Sequence, residues 1–442
     1  MNTKLYLKQA WELLKQNRLF STLYIVGTAL AIAMTMMMAV IYYVRLAPVY
    51  PEERRATTLY MGGLKLSQTF DNGGWAWWTN GYSHRAVTEW FRPLEDAAVV
   101  SGYCNAWSGA AYVQRPDGRE DEPVKVRLSD PEYFRLYTFR FKDGAAFTQD
   151  DFDGGMYRAV ITDRLARLLF GADTGVTGRT FLMNYRTFTV CGVVEAPSKL
   201  MEHSYADMYA PYSIEKSLLD GNNEHAWELG PLSITIAVRD KEGIARIRQA
   251  IDEHIQRYNT SHQSENLTLE IQGGPRTHWQ SVLESAAGSD GSMAKAVRQL
   301  LLIVLVLLLV PALNLSGLIA SRMESRLAEM GVRKSFGAGR GKLLGQVMWE
   351  NLLLTLLGGV LGLIVAWLAI YAGREWLFYL LEDSAEIIPE GANTYVSGEM
   401  LFAPLVFICA FLLCVVLNLL SALLPAWLSL RKPIVYSLYE RR

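Results

Sequence analysis

Cysteine is scarce in this sequence: Cys104, Cys191, Cys409 and Cys414 are the only four among 442 residues. A fold held together by disulfides is therefore excluded. Cys104 and Cys191 remain open as either an outer disulfide or two buried thiols. Net charge is almost absent as well, −1 from 43 basic and 44 acidic side chains, so no basic stripe for nucleic acid is expected. The histidines His84, His203, His225, His254, His262 and His278 form no ligand-spaced cluster, and no metal site is expected. They read as isolated surface or hydrogen-bonded residues. No nucleophile elbow and no Cys/His arrangement is found. Residues 337–342 (GAGRGK) imitate a phosphate-binding loop, but Leu343 stands where the magnesium-binding Ser or Thr belongs, and no strand precedes. The chain is not expected to be an enzyme, to bind a cofactor, or to carry an ATPase site of its own.

Long apolar runs, by contrast, are plentiful. Residues 21–44, 300–319, 351–371 and 400–430 carry no charge over 24, 20, 21 and 31 positions. Each is long enough for a helix to cross the hydrocarbon core. The first is too long for a signal-peptide core and lacks a clear cleavage site, so it reads as a retained anchor.

Charge resolved along the chain orients these spans. Residues 1–20, 321–350 and 428–442 each carry +3, whereas 46–297 carries −7 and 373–400 carries −5. The positive-inside rule places the three basic segments, and so both termini, in the cytoplasm. The expected fold class is an α-helical membrane protein with four transmembrane helices plus an α+β periplasmic domain inserted between the first and second spans. Its parts are an interfacial helix (1–20), spans at 21–45, 298–320, 346–372 and 401–427, the external domain (46–297), a cytoplasmic loop (321–345), an external loop (373–400) and a cytoplasmic tail (428–442).

Within the external domain, alternation predicts strands at 57–64, 122–128, 158–161, 179–182, 188–194 and 232–238, with 183–186 as a turn. Helices are predicted at 162–170 and 241–258, the latter with Ile244, Ile247, Ile251 and Ile255 on one face and Asp240 as N-cap. A lobe at about 140–227 is expected to be inserted into the rest, and 279–299 to form a helical stalk into the second span. Trp75, Trp77 and Trp78 fall in a Gly-flanked, loop-like stretch. They either pack on the domain body or form a contact patch for a periplasmic partner.

The cytoplasmic loop is the most specific stretch. Arg326, Glu329 and Arg333 are spaced to share one helix face, fitting a solvated, ion-paired helix or a rigid docking element. The run Arg326-x-x-Glu329-Met-Gly-Val-Arg333-Lys334-Ser-Phe-Gly337-Ala338, followed by Gln346, Glu350 and the glycines Gly358, Gly359 and Gly362, resembles the FtsX-like permeases of ABC transporters, in their MacB-like branch. So do the opening Asn17–Ser21, the closing Pro425-Ala426 and Lys432-Pro433, and the external run 131–195 with Tyr133-Phe134, Gly144, Phe147, Gly171, Gly178 and Gly192.

That resemblance implies a dimer of four-span subunits, completed by a second copy or a paralogue and paired with a separate ABC ATPase chain that binds ATP and magnesium. Arg326, Glu329, Arg333, Lys334, Gly337 and Ala338 would form the ATPase-coupling helix. Motion would be relayed to the periplasmic domain to export or extrude a substrate, with a periplasmic adaptor and an outer-membrane duct as further partners. Alternatives within the resemblance are an actuator of a cell-wall hydrolase and a lipoprotein-release permease. Asn314 is a candidate for a hydrogen bond across the dimer interface, and Gly358, Gly359 and Gly362 for close helix packing. Membrane lipid is the surrounding solvent, in the bacterial inner membrane.

Overall fold

A computed structural model describes residues 18–105, 111–114, 121–198, 201, 203–220, 226–287, 293–325, 327–379 and 404–431. Among these, the helices of eight residues or more are α1 (Arg18–Leu46), α2 (Asp163–Phe170), α3 (Gly243–Ser261), α4 (His278–Ala287), α5 (Met293–Ser325), α6 (Leu327–Ser335), α7 (Arg340–Tyr379) and α8 (Pro404–Arg431). The chain forms two compact units. One draws on the chain up to Val44, on Val297–Leu381 and on Gly398–Arg442; the other on Arg45–Ala296 and Glu382–Ser397.

The first unit is helical. Arg18–Leu46, Arg340–Gly373 and Phe407–Leu428 are long and apolar enough to cross a membrane. The apolar run at 300–319 lies within α5, where several side chains fall outside the described residues. Tyr24 of α1, Ile319 and Met323 of α5, Leu343, Val347 and Leu354 of α7, and Ala422 and Ala426 of α8 make one buried cluster. All four long helices therefore meet at one end of the unit. Ile32, Ala33 and Met36 of α1 pack with Ala366 of α7 and Cys414 of α8 in a second cluster. The helix of α7 starts at Arg340, ahead of the apolar run, because nothing between Arg340 and Asn351 interrupts it. The interfacial helix expected at 1–20, apart from its last three residues, lies outside the described residues, as do residues 380–400 of the loop expected at 373–400, whose first residues to Tyr379 continue α7 instead.

The second unit is α+β. Its strands are β1 (Thr58–Tyr60), β2 (Leu64–Thr69), β3 (Trp75–Tyr82), β4 (Ala97–Asn105), β5 (Ala111–Val113), β6 (Glu122–Val124), β7 (Val126–Ser129) and β8 (Phe141–Gly144). They continue as β9 (Arg158–Thr162), β10 (Thr180–Met183), β11 (Arg186–Val194), β12 (Met208–Pro211), β13 (Leu229–Gly230), β14 (Ser233–Val238), β15 (Leu267–Ile271) and β16 (Arg276–Thr277). Twelve build one sheet in the order β16-β1-β14-β4-β7-β12-β9-β11-β10-β5-β6, with β8 on β11; β13-β3-β2-β15 form a second.

Local chemistry accounts for the boundaries. Thr162 caps α2 by accepting from the Leu165 amide at 3.3 Å, and Gly171 ends the helix at φ +71°, a left-handed conformation that costs glycine least. Asn184 and Tyr185, both at positive φ, make the tight turn between β10 and β11, in the sense that matches strand twist. The helix expected at 241–258 begins at Gly243, whose amide donates to Asp240 at 2.7 Å, and buries Ile247, Ile251 and Tyr258.

Two expectations change. The strand expected at 57–64 is two, β1 and β2, because the chain turns at Gly62 and Gly63; a Cβ on Gly62 would sit 1.9 Å from the Gln272 carbonyl oxygen. The segment at about 140–227 shares the large sheet with its flanks, since β12 returns parallel to β7.

Candidate functional site

The helix α6 carries the most specific sequence run, and its end is tightly specified. The Gly337 amide donates to the Lys334 carbonyl and the Ala338 amide to the Arg333 carbonyl, both at 3.0 Å, with Gly337 at φ +87°. This pair of bonds is the Schellman arrangement, which requires a left-handed residue at Gly337. A methyl group on Gly337 would meet nothing within 4 Å, so glycine is there for its backbone, not for space. Ala338 then packs against the four-helix cluster, beside Leu344 and Met348.

Arg333 ties α6 to α7. One guanidinium nitrogen reaches Glu329 at 2.6 Å, and another donates to Gln346 Oε1 at 2.8 Å. Gln346 in turn donates to Glu350, which is buried. Glu329 and Arg333 are both well exposed, so their ion pair is worth only about 0.3–0.5 kcal/mol. The contribution of Arg333 is orientation: it holds a short helix at a set angle to a long one. Burial, and then nearby Arg340, lower the basicity of Lys334. Arg326 lies outside the described residues.

One feature of this element escaped the sequence reading. Phe336 is 87% exposed and Val332, one turn earlier, 45%. The two stand at i and i+4, which brings them together on the outer surface. No signal in the sequence marks it, because exposure is set by what surrounds the residue.

The glycines of α7 are packing sites inside the chain. A Cβ on Gly358 would lie 2.8 Å from Thr28 Cβ, and one on Gly362 would lie 2.6 Å from the Ala29 carbonyl oxygen. Both belong to α1, so the i, i+4 glycine pair is where α7 and α1 approach. Gly359 faces α8, where a Cβ would meet the Phe411 ring at 2.1 Å. The Asn314 side chain lies outside the described residues, although the residue itself is within α5.

In the second unit, the tryptophans are not in a loop. Residues 70–74 close a turn, with the Phe70 amide donating to the Gly74 carbonyl at 2.8 Å, and Trp75 begins β3. Aromatic residues suit a pleated, half-exposed surface. Trp75 pairs with Thr69 and Trp77 with Ser67, while Trp78 pairs with buried Leu66. Strand alternation therefore puts Trp75 and Trp77, 70% and 53% exposed, on the outer face and Trp78 on the other. Cys104 and Cys191 are free thiols, pushed by burial up to about 11 and about 12. The histidines are less isolated than expected: His203 and His278 both pack on Tyr60, and His254 lies 3.2 Å from buried Glu228 and stacks on Trp90. His225 lies outside the described residues. Among the described residues no group of three or more His, Cys, Asp or Glu is placed to hold a metal ion.

Known proteins match both units. Residues 21–254 match the family model for the MacB-like periplasmic core domain, and residues 301–434 match the model for the FtsX-like permease C-terminal region. Among curated relatives, an uncharacterized ABC transporter permease, YknZ of Bacillus subtilis, is 24% identical over 245 residues, covering 55% of this chain and 56% of that protein. The pyoverdine export ATP-binding/permease protein PvdT of Pseudomonas savastanoi is 26% identical over 254 residues, 56% of this chain and 36% of that one. The macrolide export ATP-binding/permease protein MacB of Escherichia coli K12 is 23% identical over 299 residues, 67% of this chain and 40% of that one. In each case the match spans less than two thirds of the relative's length.

Proposed function

Because the chain belongs to the ABC transporter permeases of the MacB- and FtsX-like type, we propose that it couples ATP hydrolysis on a separate ATPase chain to a conformational change of its periplasmic domain. ATP and magnesium act on that partner, and this chain binds neither. A second permease copy or a paralogue completes the transporter, with α5 supplying a fourth crossing and both termini in the cytoplasm. The output is export or extrusion of a periplasmic substrate, by motion passed along the helices rather than through a channel. An adaptor and an outer-membrane duct would complete the route, and the Trp75–Trp77 face is the surface offered to such a partner.

The observation that carries this reading is the construction of α6. A short helix is capped at Gly337, clamped to α7 through Arg333 and Gln346, and presents Phe336 and Val332 outward. A relay needs an element that cannot pivot freely, and an apolar side chain with a basic neighbour, Lys334, fits a groove with an acidic rim. Exposed aromatic anchors typically contribute about 2 kcal/mol or more to an interface when buried by a partner.

The test is to purify the complex from native membranes, identify the ATPase, and compare wild type with Phe336→Ala and Arg333→Ala. Phe336→Ala is expected to weaken the complex at least tenfold. Arg333→Ala is expected to leave binding nearly intact while lowering ATPase stimulation. Full stimulation by both variants would remove α6 from the coupling path.

A further inference from the structure

The stretch between α1 and β1 buries an ion pair. Glu52 and Arg55, 3% and 4% exposed, meet at 2.9 Å. Arg55 also donates to the carbonyls of Arg45 and Ala47, at 3.1 and 2.6 Å, and Glu52 accepts from the Ser204 hydroxyl at 2.8 Å. His278, the first residue of α4, donates from Nε2 to the same Arg45 carbonyl at 2.7 Å. Next to Ser204, His203 stacks on Tyr60 with ring centroids 3.9 Å apart, and His278 tilts against that ring at 5.7 Å. Three stretches distant in sequence thus close on one another: 45–60, which includes β1, 201–204 and the start of α4.

Behind Tyr60 the described neighbours are cationic and phenolic. Arg127 of β7 lies 5.0 Å over the Tyr103 ring, and the Tyr133 hydroxyl donates to the His203 carbonyl at 2.8 Å. Tyr137 and Tyr209 are fully buried beside them. Among the described residues, Glu52 is the carboxylate that faces Arg55 and both histidines, while Arg55 and Arg127 add positive charge near His203. With Nε2 of His278 given to a carbonyl, its Nδ1 has no hydrogen-bond partner among the described atoms, and neither has the Tyr60 hydroxyl. A proton on Nδ1 would therefore create a buried donor without an acceptor and a further positive charge near the buried Arg55 guanidinium.

We propose that this cluster is a proton-sensitive latch: at neutral pH it holds the start of α4 to the segment that leaves α1, and acidification releases it. Burial pushes His203 down to about 4 and lowers His278 as well. Burial also works against the Glu52 carboxylate, but Arg55 beside it, helped by the two histidines and Ser204, keeps it below its ordinary range. The sign follows from the direction of these shifts. The open form takes up protons more readily than the closed one, so the closed form is fully favoured above the ordinary histidine value of 6.5. That advantage is lost as pH falls from there toward about 4. For His203 alone the shift amounts to about thirtyfold in the opening equilibrium at pH 5. That release would alter the relay rests on the coupling proposed above; the latch itself does not.

Hydrogen exchange on the full chain in lipid nanodiscs, corrected for intrinsic rates and without any ATPase, tests it. Between pH 7.5 and 5, protection across 45–60 and 276–287 should fall at least tenfold while β9 and β11 hold theirs. The double variant His203→Gln, His278→Gln should abolish that pH dependence. Unchanged protection in wild type, or an equal loss in the double variant, overturns the latch. Should the double variant not fold, histidine side-chain nitrogen resonances of the wild type decide. They must show both rings neutral at pH 7 and protonated in step with the loss of protection. Protonation with protection intact overturns the proposal. Loss of ATPase coupling leaves this readout unmoved, so the two proposals fail separately.

Discussion

Among the described residues, both units use glycine for close backbone approaches and both bury polar groups, but the sheet unit buries more charged side chains. In the helical unit the closest approaches are made by leaving side chains out: Gly358 and Gly362 let α7 reach the backbone of α1, and Gly359 makes room for Phe411. In the sheet unit the interior admits whole polar side chains, among them Glu52, Arg55, Arg127 and Asp130, all 4% exposed or less. Solvent explains the contrast. Lipid tails are as apolar as leucine, so helices gain little from apolar burial and depend on dispersion contacts at short range. In water, apolar burial drives association by itself and leaves room for polar groups, provided that each is partnered. Asp130 illustrates the condition: burial raises it to about 6, and Ser101, the Gly102 amide and Arg92 all bond to it.

Substitutions can break this contrast from either side. The largest effect is expected at Glu52→Ala, which removes the carboxylate paired with buried Arg55 and should destabilise the sheet unit by about 3–5 kcal/mol. Denaturant unfolding of the full chain in detergent, followed by exchange protection of β1 and β14, would register it. Next comes Gly362→Val, whose Cβ meets backbone rather than a movable side chain. About 1–3 kcal/mol is expected, seen as a lower melting temperature of the helical unit. Gly337→Ala should cost about 1 kcal/mol, because the left-handed conformation is strained for any side chain while space is free. Loss of protection at 336–338 would show it without global unfolding. The smallest change is Glu329→Ala, about 0.5 kcal/mol or less, detectable only as a salt-dependent difference in the fraying of α6. A Glu52→Ala chain as stable as wild type would mean that the buried charges of the sheet unit contribute no more than the surface pair on α6.

Much of the helical unit was legible beforehand because uncharged runs of twenty or more residues admit few other structures. The short helix α6 was legible as well, from the spacing of Glu329 and Arg333. The tryptophan segment was misread as a loop, because flanking glycines outweighed the strand preference of aromatic residues until the pairing with β2 settled it. The histidines were misread as isolated, since His203 and His278 are 75 positions apart and only Tyr60 brings them together. Phe336 was passed over because exposure is a property of the surroundings, not of the residue.

Sequence alone therefore determined what depends on solvent and on nearest neighbours along the chain: the long apolar helices, the short helices α2 and α6, the turn at Asn184–Tyr185. Tertiary structure decided what depends on partners far away in sequence. The register of β3 chose which tryptophans face outward. The approach of α1 assigned Gly358 and Gly362 to contacts within the chain. The meeting of residues 45–55 with His203 and His278 produced a buried ion pair flanked by two imidazole rings. Helical and turn signals act over a few residues, where the chain's own geometry fixes the distances. Burial and electrostatics act across space, and those distances exist only once the fold has closed.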